Sequence, residues 1–168
     1  MLYRPSSVSY FRNFVFGVED SLVSTVGLLS GVAIANVPKS TILLTGVVLL
    51  FVEAVSMTGG SFLSEYSVDE YERRNERVTK STLISSLIMF LSYFISGFIP
   101  LFPYMILPVS EALVTSAILS VVFLFILGVI GAKISKTNVI RNGFRMAIIG
   151  GTAIAVGVLA GTWLSGIK

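Results

Sequence analysis

Five predominantly apolar stretches, each near the length of a bilayer-crossing helix, leave this chain few ways to fold. They cover about residues 13–36, 41–63, 81–102, 110–134 and 141–167. A hydrocarbon core about 30 Å thick needs roughly 20 apolar residues in a helix. Lipid offers no hydrogen bonds to backbone, so each stretch is read as a helix that satisfies its own N–H and C=O groups. The second stretch continues into a strongly charged run to about residue 79, read as the same helix leaving the membrane. The expected fold is all-α: one five-helix transmembrane domain over 1–168, with helices at about 13–36, 41–79, 81–102, 110–134 and 141–167, helix 2 extended into the cytosol, and two copies forming a homodimer. Only 12% of the 168 residues are charged, against roughly 25% in soluble domains. The polar first residues and the long apolar run after them do not resemble a cleavable signal.

There is no Cys and no His. Thiolate and imidazole metal sites, disulfides and Ser-His-Asp or Cys-His catalysis are thereby excluded. Any metal must be held by carboxylates, hydroxyls, carbonyls or Met sulfur. No nucleophile–base pair is visible, so an enzyme is not expected. The net charge of +3 is too small to suggest a nucleic acid partner.

The basic residues are distributed unevenly. Arg4 and Arg12 precede helix 1. Arg73, Arg74, Arg77 and Lys80 join helices 2 and 3. Lys133, Lys136, Arg141 and Arg145 join helices 4 and 5. All of the 12 Lys and Arg except Lys39 and Lys168 thus fall on one side of a five-span protein. The positive-inside rule puts that side, with the N-terminus, in the cytosol and the C-terminus outside or in a lumen. Which membrane holds the protein is not encoded in this pattern.

Three acids lie at membrane depth: Glu19 and Asp20 in helix 1 and Glu53 near the middle of helix 2. An acid at a helix centre costs about 2.5–3.5 kcal/mol on insertion scales, so it needs a partner or a wet path. At 100° per residue, Asp20, Ser24, Gly27 and Gly31 fall within about 60° of one another. Gly27 and Gly31 form a G-x-x-x-G pair, a surface for close helix approach. Packed against its own symmetry mate, that strip would bring two Asp20 side chains to one axis, where only a cation or a proton relieves their repulsion.

On helix 2, Glu53, Met57, Ser61, Glu65 and Asp69 recur every four residues as one ridge. Met57 lies between carboxylates, and a thioether favours transition ions over magnesium or calcium. Glu65, Asp69, Glu72 and Glu76 continue as an acidic stripe. One reading is a solvated helix face with pairs such as Asp69–Arg73. The other is a collector of cations at a pore mouth. Two functions fit the buried acids: passage of a divalent metal ion out of the cytosol, or a non-transporting scaffold or assembly subunit whose acids meet a partner's basic groups.

Four motifs then fall in order. Phe16-Gly17-Val18-Glu19-Asp20-Ser21-Leu22-Val23-Ser24-Thr25 is followed by Glu53-Ala54-Val55-Ser56-Met57-Thr58-Gly59-Gly60-Ser61-Phe62-Leu63-Ser64, by Pro100-Leu101-Phe102-Pro103-Tyr104, and by the region 141–151. Together they resemble the vacuolar iron transporter family, which includes the nodulin-like membrane transporters. The resemblance implies a five-helix homodimer that exports ferrous iron, and often manganese, in exchange for protons. It implies that Asp20 and Met57 line a path between the subunits; the other acids at membrane depth, Glu19 or Glu53, are read as assisting Asp20. Glu19 stands where the family usually has Asn, Ser21 where it has Gly, and Glu53 where many members have Gly or Ala. Ser61 replaces a frequent Glu, as though an acid had moved two turns deeper along the ridge. The glutamate-rich cytosolic domain of the plant members is absent.

Overall fold

The computed structural model describes residues 6–73 and 78–166. Over them it consists of five α-helices: α1 (Ser6–Ile34), α2 (Lys39–Arg73), α3 (Lys80–Ile106), α4 (Val109–Ile134) and α5 (Val139–Ser165). All five are long and apolar enough to cross a membrane. The 35 residues of α2, at 1.5 Å each, make a rod of about 52 Å, well beyond a hydrocarbon core of about 30 Å. Leu44, Val55, Ile95, Val156 and Leu159 are each more than 60% exposed. An apolar exterior of this extent suits lipid rather than water.

The helix limits differ from the apolar runs for physical reasons. α1 begins at Ser6, ahead of the apolar run, because hydropathy marks membrane depth and not the end of a hydrogen-bond ladder. It stops at Asn36, which takes a left-handed φ of 55°, and Pro38 follows. α3 runs past 102 to Ile106, through Pro100 and Pro103. Each proline removes one ladder hydrogen bond, a loss tolerated in transmembrane helices where neighbours compensate locally. Separately, Ser116 of α4 donates to the Pro100 carbonyl at 2.7 Å and so ties α3 to α4. Thr79, expected as the tail of helix 2, is instead the N-cap of α3 and accepts from the Thr82 amide at 3.2 Å.

α1 is the central element. It packs most extensively on α3 and α5 and less on α4 and α2, while α2 leans on α3 and α4 on α5. Small residues set these approaches. Gly97 of α3 lies beneath Leu50 and Ser21, and Gly17 of α1 lies against Ser92 and Met89. The closest crossing joins α1 to α5. A Cβ on Gly31 would lie 2.7 Å from the Gly157 carbonyl oxygen, and one on Gly27 would lie 3.3 Å from that of Ala153. Gly157 and Gly161 in turn press on Gly27 and Gly31.

This corrects the expected use of Ser24, Gly27 and Gly31 as the seam between two copies. The two glycines are covered by α5 of the same chain, and Ser24 bonds Tyr93 of α3 at 2.8 Å. The reason is complementarity: α5 carries its own small residues at matching spacing, and two bare backbones gain close dispersion contact. α2 and α5 scarcely meet, so the flank of α1 between them stays uncovered. Phe16 on that flank is 48% exposed.

Gly157→Ala should therefore destabilise the protein by about 1–3 kcal/mol, the usual scale of overpacking. Gly59→Ala and Gly151→Ala, where an added Cβ meets nothing within 4 Å, should not. Thermal unfolding of the three purified variants in detergent checks this, and equal melting temperatures would contradict the crossing.

Candidate metal centre

Asp20 lies one turn beyond Phe16 on α1, and Glu53 lies at mid-length on α2. Both are half-buried. They are within electrostatic reach of each other and of the Tyr93 hydroxyl of α3. Ser21 donates to the Tyr93 carbonyl at 2.6 Å, and Ser24 shares a hydrogen bond with the Tyr93 hydroxyl. Two bonds to one residue fix the turn of α1 that carries Asp20. Among the described residues, no hydrogen bond or ion pair engages Asp20, Glu53 or Glu19. These carboxylates are positioned but not neutralised by contact.

Met57, one turn from Glu53, lines a groove of about 540 Å³ between α1 and α2, shared with Asn13, Phe16, Ser61 and Met89. Asp20, Glu53 and Met57 thus lie on the α1–α2 side. Glu19, 100° away around α1, lines a different cavity of about 510 Å³ towards α4 and α5, with Arg12 and Arg145. Glu19 and Met57 therefore line different cavities, while Glu19 stays within electrostatic reach of its neighbour Asp20. Among the described residues no three acids converge as a metal cluster. One chain offers two carboxylates and a thioether, fewer than the six oxygen-type ligands common for hard divalent ions.

Towards the basic end, the helix 2 ridge is occupied by fixed partners. Ser61 accepts from the Asn13 amide at 2.7 Å, and the same amide donates to the Ser85 hydroxyl at 2.6 Å. Glu65 accepts from Ser9 and from Arg12, with which it forms an ion pair. Asp69 accepts from the Thr79 and Thr82 hydroxyls at 2.8 and 3.0 Å. Two acids of the expected stripe are therefore engaged in joining helices. The Glu72 side chain and Glu76 lie outside the described residues. Asn13 and Tyr93 were not singled out from sequence, although each is a buried polar side chain within a largely apolar helix.

With the geometry in place, comparison with known proteins is informative. The VIT family model matches residues 11–84 and 73–162. The chain belongs to the VIT family. It is 24% identical to vacuolar iron transporter 1 of Arabidopsis thaliana, covering 86% of this chain and 82% of that protein. It is 28% identical to vacuolar iron transporter homolog 2 of the same plant, over 88% and 80%. It is 30% identical to an uncharacterized protein of Methanocaldococcus jannaschii, over 86% and 84%. Both plant relatives are named as transporters, not as enzymes. The alignment with the first extends over 204 positions yet covers only 86% of this 168-residue chain, so that relative carries residues with no counterpart here.

The Arg12–Glu65 pair predicts a non-additive stability effect. Arg12→Ala and Glu65→Ala together should destabilise by about 1 kcal/mol less than the sum of the single changes. Thermal melts of the four proteins test this, and strict additivity would remove the pair as a tie between α1 and α2.

Proposed function

We propose that this VIT-family chain exports a divalent transition metal, ferrous iron and secondarily manganese, from the cytosol in exchange for protons. The observation that carries this reading is the pair Asp20 and Glu53: two carboxylates at membrane depth, without contact partners among the described residues, beside an uncovered flank of α1. A structural acid in lipid is normally paired. An acid kept unpaired next to an open face is suited to a passing cation. The names of the plant relatives support iron as the cargo.

The same flank supports a homodimer. A second copy closing over it would bring a second Asp20, Glu53 and Met57 to one path and supply the ligands that a single chain lacks. In this assembly Asp20 is the central ligand, Glu53 assists it, and Met57 biases the site towards ferrous iron. Glu19, turned towards Arg145, acts on the path through its field. The basic ends of α1, α2 and α5 face the cytosol, so the charged end of the long α2 projects there. The engaged Glu65 and Asp69 then serve chiefly as ties, leaving metal collection to the site itself.

The coupling follows from acid chemistry. Ionised carboxylates bind the metal at the near-neutral cytosolic face, and a protonated acid is a poor ligand. Protons arriving from the opposite side therefore release the ion. The scaffold reading would need a partner's basic groups to meet these acids. Liposomes holding only this purified chain separate the two, since metal flux requires no second protein under the transport reading.

Asp20→Ala should abolish iron uptake into inside-out vesicles while the variant still inserts and dimerises. Unchanged flux in that variant rejects the assignment. Met57→Leu should reduce discrimination of iron over magnesium more than it reduces total flux. Acidifying the vesicle interior should accelerate uptake and a proton ionophore should suppress it, both read with a metal-sensitive dye.

A further inference from the structure

We propose that the crevice among α1, α4 and α5, at the basic end of the bundle, is a binding site for an anionic phospholipid. Two adjoining cavities form it, of about 510 and 750 Å³. They adjoin along α5 through Asn142, Arg145 and Ile149, the first lying among α1, α4 and α5 and the second beside α5 and the α4–α5 turn, and are taken together as one trough. The first cavity is mostly apolar, with Phe11, Val15 and Met146, and also carries Arg12, Glu19 and Arg145. The second carries Arg141 and Arg145. Gly131 leaves the wall open: a Cβ there would find nothing nearer than the Phe11 ring at 4.0 Å.

This division matches the division of a phospholipid. The apolar floor suits an acyl chain, and the guanidinium groups suit a phosphate, which arginine binds through paired hydrogen bonds. The depth fits as well. Arg145 stands about 9 Å of helix beyond Val139, near the boundary between headgroups and hydrocarbon, where its long side chain reaches back to the interface. Charge selects the lipid class. Arg12 is engaged by Glu65, whereas Arg141 and Arg145 are exposed and make no contact ion pair among the described residues. Glu19 offsets Arg145 only through its field. A headgroup with net negative charge gains from both arginines, while a choline headgroup would bring its own cation against them. Basic pockets between transmembrane helices bind anionic headgroups in this way. The proposal does not depend on metal transport.

The test is native mass spectrometry of the purified full-length chain, released from detergent after mixing with phosphatidylglycerol and phosphatidylcholine. The wild type should retain phosphatidylglycerol in preference, by roughly fivefold per arginine. Arg141→Ala with Arg145→Ala should equalise the two lipids. Arg141→Lys with Arg145→Lys should keep a preference, which separates lost charge from a misfolded crevice. Equal retention by the wild type, or a preference unchanged in the double alanine variant, overturns the proposal. A readout without charge removal uses the single Trp163. In a Trp163→Phe, Phe144→Trp protein the fluorophore lines the trough. Brominated phosphatidylglycerol should quench it more than brominated phosphatidylcholine. Equal quenching, as expected if a second copy of the chain fills the trough, also overturns the proposal.

Discussion

The crossing of α1 over α5, glycine against glycine, determines what else this bundle can do. Gly27 and Gly31 meet Ala153, Gly157 and Gly161 with no side chain between the two helices. That contact holds α1 at the centre and uses up one face of it at the end remote from Arg12. With α3 and α4 on other sides and α2 leaning away on α3, the flank of α1 between α2 and α5 remains open. Asp20 stands beside that flank. An apolar bilayer provides little drive for helices to associate, so small residues and local hydrogen bonds decide which faces touch. The placement of a membrane-depth acid next to an open face is thus a consequence of where glycines are.

The basic end is held differently. There the links are polar: Arg12 and Ser9 to Glu65, Asn13 to Ser61 and Ser85, Thr79 and Thr82 to Asp69. They join α1, α2 and α3. The glycine contacts carry no charge, whereas the other set includes the partly exposed Arg12–Glu65 ion pair, which salt screens. The two ends of the molecule therefore differ in how easily they can be rearranged.

Much of this was legible in the sequence. Long apolar runs fixed the five helices, since lipid permits little else, and the ordered motifs from Phe16 to Gly151 pointed to the family. The acids at membrane depth were visible as exceptions to apolar runs. What periodicity could not supply was the identity of the partner across each face. Ser24, Gly27 and Gly31 are on one side of α1 by geometry alone, yet a small-residue strip fits a helix of its own chain as readily as one of a second copy. Only the matching strip on α5 resolves this. Likewise Glu65 and Asp69 formed a stripe on paper, and their engagement depends on Arg12 and on the cap of α3, residues distant in sequence. Helix ends were misjudged where hydropathy and hydrogen bonding diverge: at Ser6, where the ladder outlasts the apolar run, and at Pro100 and Pro103, where it survives two prolines.

The mounting of α2 has a mechanical consequence. One end is tethered by Lys39, which donates to the Met105 and Leu107 carbonyls at 3.3 and 3.0 Å, and the other by the ties at Glu65 and Asp69. Between them the rod rests mainly on α3 and carries Gly59 and Gly60, where an added Cβ would meet nothing within 4 Å. The Glu53 carboxylate is mounted near mid-rod, between Leu50 and Ala54, both fully buried in the core shared with α3, so α3, and not the end ties alone, sets its reach towards Asp20.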